Sequence, residues 1–352
     1  MKIFYPPLHY DKNYRGHLFP LLKPFIKGDG FTDEQRKSMY GVSQEDYCFV
    51  SSMNEAEVVI LPMSWYYYKH TKQLDKAQDL VEQAKSFQKI VWSHNPGDAG
   101  VKTPQFSNVM VFRFGGYVSR NQKGHKGMPV LIEDYYTNSP AWKGLENLGW
   151  EEKPKVGFCG QAIASKANAF KEVTKIGLRN LQTYVGSSPN EPQKLISSTY
   201  LRAKALELLQ KNSNVKDQFI LRKKYRAGVT QQKDTHQTTQ EFYQNIQDSQ
   251  YILCVRGAGN FSVRFYETLM MGRIPLYIHT DGFLPLAEEI EWKKHIVWVD
   301  KKEMHKVAEK LLSFHNNLSE NQLQELCKAN RKLWEEKLCL DGFFKNEFDS
   351  LK

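Results

Sequence analysis

Short apolar runs alternate along this 352-residue chain with segments whose apolar residues fall at helical spacing. That alternation narrows the possible folds more than any other feature. The runs Lys2–Tyr5, Val58–Pro62, Ile90–Ser93, Val109–Phe112 and Val130–Ile132 read as strands. Between the second and third, Gln73–Gln88 puts Leu74, Ala77, Leu80, Val81 and Ala84 on one helical face. The stretch from Asn138 to Pro154 is polar and broken by Pro140, Gly144, Gly149 and Pro154, the pattern of an interdomain connection. A second series opens at Val156–Gly160. Its further strand candidates are Gln218–Leu221, Tyr251–Val255, Ile274–Ile278 and Ile296–Val299. Helix candidates Ser197–Leu209, Thr239–Asp248 and Ser262–Met271 lie between them, and the Gln/Thr-rich Thr230–Gln240 reads as a surface loop. Two helices close the chain, the last beginning at Ser319 with Gln322 three residues on, a capping-box pattern. Two successive α/β series joined by a polar linker predict two Rossmann-like domains facing each other across a cleft. The boundaries expected are 1–150, 151–335 and a closing helix or tail over 336–352. Ligands of such sheets sit at the carboxyl ends of the strands, which places the site in the cleft.

Composition agrees with this reading. Hydrophobic residues make up 41% and charged residues 25%, the balance of a soluble globular protein rather than a fibrous or disordered one. The longest apolar run is about six residues, around Val58 to Met63, where a membrane-spanning helix needs ~20. The opening Lys2-Ile-Phe-Tyr-Pro-Pro7 does not read as a signal peptide, and the expected location is cytoplasmic. The five cysteines are odd in number and contain no CxxC pair, so neither a disulfide framework nor a zinc site is expected. Formal net charge is +10, and residues 151–300 hold most of the excess, with 21 basic against 15 acidic residues. A positive field of this kind suits an anionic ligand: nucleotide phosphates, acidic glycan or nucleic acid.

The most informative segment runs from Tyr251 to Ile278: strand, glycine loop, helix, tight turn, strand. Gly257 and Gly259 let the backbone turn tightly and approach a ligand. Ser262 or Asn260 is the candidate cap of the following helix, whose first amides form an anion site if left uncapped. Gly272 ends that helix, and Pro275 prevents its continuation. Val263, Tyr266 and Met270 define an apolar face, with Glu267 about 40° from Val263 at its edge. A partly buried carboxylate needs a partner. A ribose diol supplies one, and Arg264, three residues earlier, is the alternative.

Arg256-Gly257 after an apolar strand, Ser262-Val-Arg-Phe-Tyr-Glu267, Gly272-Arg-Ile-Pro-Leu276, Asp281-Gly-Phe-Leu-Pro285 and Ile290-Glu-Trp292 together resemble the exostosin-type glycosyltransferase signature. The good match covers about fifty residues, with weaker similarity at Val156–Gly160 and Asn330–Trp334. The resemblance implies a GT-B fold with the nucleotide-sugar donor held by the second domain. It implies that Arg256 neutralises the donor diphosphate, that Ser262 and the amides around it meet the phosphates, and that Glu267 binds the ribose. Gly257 belongs to the same loop. Arg222, beside Lys223 and Lys224 at a strand end, is a further phosphate candidate, and Gly160 a point of close backbone approach. The activity implied is transfer of a sugar from a nucleoside-diphosphate sugar, most often UDP-linked in this family, to a glycan or lipid-linked glycan in cell-surface glycan or polysaccharide synthesis. No Asp-x-Asp occurs, so cationic, metal-independent stabilisation of the leaving group is expected, with no cofactor beyond the donor.

Family members of this type generally invert configuration, which requires a general base from the first domain. The candidate loop is His94-Asn-Pro-Gly-Asp98-Ala-Gly100. Relatives carry His-Asp near this point, whereas here Asn95 stands in the aspartate's place. Asp98 is the first candidate base, His94 the second, and the Glu133–Asp134 pair the third. Trp65, Tyr66, Tyr67 and Tyr68 are candidates to line an acceptor cleft on a loop, with core packing or packing at a helix start the alternative. Competing readings are a GDP-sugar, fucosyltransferase-like GT-B enzyme, although its Thr-Glu-Lys is absent, and a non-catalytic glycan-binding protein. Nucleic acid is disfavoured, because the basic residues are not strung along one helix. Peripheral contact with a membrane is a further expectation.

Overall fold

The computed structural model describes residues 1–26, 30–138, 148–222 and 232–352. The first series forms a six-stranded parallel sheet from β1 (Lys2–Phe4), β2 (Cys48–Phe49), β3 (Val58–Ile60), β4 (Ile90–Asn95), β5 (Val109–Arg113) and β6 (His125–Gly127), in the order β2-β1-β3-β4-β5-β6. The second forms a five-stranded parallel sheet from β7 (Lys155–Gln161), β8 (Lys216–Arg222), β9 (Tyr251–Cys254), β10 (Ile274–His279) and β11 (Val297–Asp300), in the order β11-β10-β9-β7-β8. The helices that matter below are α1 (Asp33–Tyr40), α2 (Trp65–His70), α3 (Leu74–Ser86), α4 (Lys166–Tyr184), α5 (Ser198–Gln210), α6 (Gln232–Gln247), α7 (Val263–Met270), α8 (Val307–Asn316), α9 (Glu320–Leu333) and α10 (Leu340–Asp349). Two parallel α/β sheets are what the alternation predicts, and β3, β4, β7 and β9 are apolar runs because helices or loops cover both faces.

Five details differ from expectation. Val130–Ile132 is not a strand; β6 lies just before it, where Gly124 at φ +83° and Gly127 pressed against Leu284 O allow the chain to join the sheet edge. The tyrosine run is not a cleft-lining loop but the helix α2, capped by Ser64 on the Tyr67 amide, with Trp65, Tyr67 and Tyr68 buried, as the alternative of core and helix-start packing has it. Most of the expected loop Thr230–Gln240 is the first half of α6, while part of the connection after Asn138 lies outside the described residues. Helix α4 was not among the predicted elements. The capping box of Ser319 and Gln322 forms as expected, but α9 is not the last helix.

That last helix, α10, within the expected tail 336–352, returns to the first sheet. Phe343 and Phe344 are fully buried there, with ring centroids 5.3–5.6 Å from Phe19, Trp92 and Phe112. Lys126 pairs with the buried Glu347 at 2.7 Å. The final residues of the chain therefore complete the core of its beginning.

Candidate functional site

The carboxyl ends of the two sheets meet. Phe114, after β5, touches Phe261, after β9, at 5.7 Å between centroids. Asn260 donates from Nδ2 to Gly116 O at 2.7 Å and to Thr280 O at 3.1 Å, while its Oδ1 accepts from Thr280 Oγ1 at 2.6 Å. It therefore joins the halves instead of capping α7. Tyr117, buried, is the hub: its hydroxyl accepts from Arg256 Nη1 at 3.1 Å and Lys194 N at 2.9 Å and donates to Gln193 Oε1 at 3.1 Å. Asp281, at φ +65°, accepts from Ser119 N, Ser119 Oγ and Lys194 Nζ. Four ties between two sheets in so small an area fix the cleft geometry.

In the second sheet the strand order reverses at β7, between β9 and β8, and a parallel sheet opens a crevice at such a point. Arg202 on α5 bridges its two lips, donating to Gln161 O at 2.9 Å and Arg256 O at 3.1 Å. Ser198 Oγ holds Gly257 O at 2.5 Å, and Gly257 N closes the turn on Phe261 O at 2.8 Å. A side chain at Gly257 would meet Phe261 O at an ordinary 3.7 Å, whereas one at Gly259 would strike Phe261 and Asp98 within 2.8 Å. Gly259 thus lets the halves meet.

Two arginines stand in this crevice with no salt bridge among the described residues, although the Glu267 carboxylate lies within electrostatic range of Arg264. Arg256 is 3% exposed, its Nη2 donates to Ala258 O at 3.0 Å, and its Nε has no partner. Arg264 lies 4.4 Å above the Phe158 ring and donates from Nη2 to Cys159 O at 2.6 Å, again with Nε unpartnered. Burial pulls its pKa below the usual arginine value. Among the described residues neither makes an ion pair, although a buried cation ordinarily requires one. A Cβ at Gly160 would lie 2.8 Å from Arg264 Nη2, so that glycine makes room for the guanidinium rather than for a ligand's approach. Ser262 occupies the N-cap position of α7 without a side-chain cap bond. The first amides of that helix thus remain available to an anion.

Other expected residues are placed differently. Arg222 is held by Glu241 Oε2 and Thr238 O, both at 3.0 Å, and is committed to α6; Lys223 and Lys224 lie outside the described residues. The apolar face of α7 is Phe265, Tyr266, Leu269 and Met270, while Val263 is 40% exposed. Glu267 is half-buried, within electrostatic range of Arg264 and of Tyr243, whose hydroxyl pKa is raised by burial first and then by Glu267.

On the first sheet, His94 does not reach the cleft. It is buried edge-on against Phe19, its Nδ1 unpartnered, and burial, then Lys23 and His17, push its pKa well below the ordinary histidine value. Asn95 is buried too, donating to Val101 O at 2.7 Å and accepting from Val101 N at 3.0 Å. An aspartate there has no N–H for Val101 O, which explains the departure from the family's His-Asp. Asp98 does face the second half: its Oδ1 accepts from Gly259 N at 3.0 Å, and the residue is exposed. A cavity of about 820 Å³, of whose lining Asp98 is not a part, runs from Phe114 past Lys23 and Tyr40 to Glu133, Asp134 and Trp334. Asp134 is taken by Arg331 through bonds of 2.9 and 2.5 Å, while Glu133 is exposed on the wall. Arg202 and Tyr117 had no signal in the sequence, because neither lies in a motif and each acts on residues more than forty positions away.

Two parallel α/β sheets thus meet over a glycine loop and two arginines that make no salt bridge among the described residues. Residues 172–314, which hold Arg202, Arg256, Ser262, Arg264 and Glu267, match the exostosin GT47 domain. It is similar to a probable β-1,4-xylosyltransferase of Arabidopsis thaliana, 36% identical over 20% of this chain and 16% of the relative. It is also similar to probable glucuronosyltransferases of Oryza sativa subsp. japonica (33% over 19% and 16%) and Physcomitrium patens (33% over 22% and 17%). The chain thus spans about a sixth of the length of the relatives it matches. Among solved structures, a variant of S. aureus TarM in complex with fondaparinux, α-GlcNAc-glycerol and UDP aligns over 69% of this chain and 51% of its own, at 9% identity and a TM-score of 0.31, too loose a likeness to carry an argument.

Proposed function

We propose that this protein is a glycosyltransferase that moves a sugar from a nucleoside-diphosphate sugar, UDP-linked, to a hydroxyl of a glycan, with inversion and without a metal. The observation that carries the reading is the pair of arginines, Arg256 and Arg264, that make no salt bridge among the described residues and keep an unpartnered Nε each, beside the uncapped start of α7 at the switch point. In glycosyl transfer the bond from the anomeric carbon to the diphosphate oxygen breaks, and negative charge grows on the leaving group. Preorganised cations and amides stabilise that charge in the transition state. Glu267 is assigned to the ribose of the donor, and the 820 Å³ cavity to the acceptor.

Asp98 is the proposed base. Gly259 N–H holds its Oδ1, leaving Oδ2 to take the proton as the acceptor oxygen attacks the anomeric carbon. A second reading places the base at Glu133, because that carboxylate lines the cavity. Asp98→Asn keeps an acceptor for Gly259 N–H while removing the base. It is expected to lower turnover by roughly 10²–10⁴-fold with donor binding intact; full activity, with Glu133→Gln inactive, moves the role to Glu133. Donor identity is read by thermal shift with UDP, GDP, ADP and CMP, each with EDTA and with magnesium. A ligand at ~100 times its dissociation constant adds ~2.7 kcal/mol of stability. A UDP-selective shift that survives EDTA supports the reading, a GDP-selective one transfers it to the fucosyltransferase-like alternative, and nucleotide binding without transfer to any acceptor favours a glycan-binding protein.

A further inference from the structure

Helix α4 turns its apolar face away from the protein. Phe170 is 74% exposed, Leu178 59%, Leu181 58%, Tyr184 70% and Val185, its C-cap, 69%. At about 100° per residue these five fall within an arc of about 120°. Thr183 is the helix's one buried residue. Its only acid, Glu172, points inward, accepting from Asn168, Ser197 and Thr199 at 2.6–3.0 Å. An amphipathic helix on a globular protein normally directs the apolar stripe at the core, and five large apolar side chains in one stripe exceed the scattered singles of an ordinary surface.

The flank of the stripe is basic. Lys171, Lys175 and Arg179 follow one another along one side, with Lys166 at the helix start, and among the described residues none of the four makes an ion pair. We propose that α4 lies in the plane of an anionic lipid surface, with Phe170, Leu178 and Leu181 in the headgroup boundary and the basic flank on lipid phosphates. Apolar anchors beside unpaired lysine and arginine, with no outward acid, are the chemistry of an interfacial helix. Charge decides against a second copy: an antiparallel pairing across a two-fold axis sets the two basic flanks against each other. The helix begins just after β7 ends, at the crevice, so docking holds the mouth of the cleft at the membrane. The inference stands apart from the transferase reading, since its test reads no turnover.

The test is flotation of the full chain with vesicles of phosphatidylcholine containing a third phosphatidylglycerol, against phosphatidylcholine alone. The wild type is expected to float with the anionic vesicles and to bind neutral ones, or anionic ones at 1 M salt, at least about tenfold less. Phe170→Ser combined with Leu181→Ser is expected to lose about tenfold or more of the binding, with its melting temperature unchanged because both side chains are exposed. Phe170→Trp is expected to shift its emission to the blue on anionic vesicles. Absence of wild-type flotation, or a double variant that floats like the wild type, overturns the proposal. So does a wild-type dimer in sedimentation that the double variant dissociates without any vesicle binding, which assigns the stripe to a second copy.

Discussion

The two halves share one plan, a parallel sheet whose strand ends open on the cleft, yet they treat polar groups at those ends in opposite ways. In the first half the amide and charged groups at the strand ends satisfy the protein itself, with His94 Nδ1 the exception. Asn95 closes a ring with Val101, and Arg113 pairs with Glu191 at 2.5 Å and donates to Gly115 O at 2.6 Å. His125, beside that guanidinium, is pushed down to about 4 by burial and then by the Arg113 charge. In the second half Arg256 and Arg264 keep nitrogens without partners. A buried cation left without an acid is unfavourable unless a ligand supplies the anion. The difference separates a wall whose charged groups are paired from a crevice whose two arginines make no salt bridge among the described residues.

The comparison breaks most visibly if the first half is not a self-contained wall closed by the chain's end. Phe344→Ala empties space among Phe19, Trp92 and Phe112, and is expected to cost ~3–5 kcal/mol in denaturant unfolding. A loss under 1 kcal/mol would mean that α10 docks loosely. Next in size, Arg256→Ala is expected to cost ~3–4 kcal/mol of transition-state stabilisation, measured as kcat/KM. Its unfolding free energy should change far less, because among the described residues the guanidinium is held by Tyr117 and Ala258 alone; an equal loss of stability would put this arginine among the structural groups of the first half. Smallest is Asn95→Asp, which removes the donor to Val101 O and sets a carboxylate beside that carbonyl. It is expected to destabilise by ~1–3 kcal/mol without raising turnover. A gain in activity would show that the family's aspartate works from this position.

Much of this organisation was legible from residue order. Periodicity located ten strands' worth of apolar runs, of which Val130–Ile132 alone failed, since an apolar triplet says nothing of whether a sheet edge is free beside it. Helix α4 carried its signal in Phe170, Leu178, Leu181 and Val185 at helical spacing, but it lay in a stretch without glycine-loop or strand markers. The glycine loop, the turn at Gly272 with φ +60° and the start of α7 stand where the local sequence places them. His94 was misplaced because a histidine at a strand end faces either the cleft or the core, and two-residue alternation does not choose between them.

What the sequence determined by itself was local: strands, helices, their parallel α/β alternation and the glycine loop before α7. Such features depend on spacing and backbone preference within a few residues. Only the tertiary structure decided that Arg202 clamps the crevice, that Tyr117 and Asp281 lock the halves, that Asp98 reaches Gly259 while His94 does not reach the cleft, and that the apolar face of α4 looks outward. Those outcomes rest on contacts between residues tens to hundreds of positions apart, and on which side of a helix finds the core, information that periodicity does not contain.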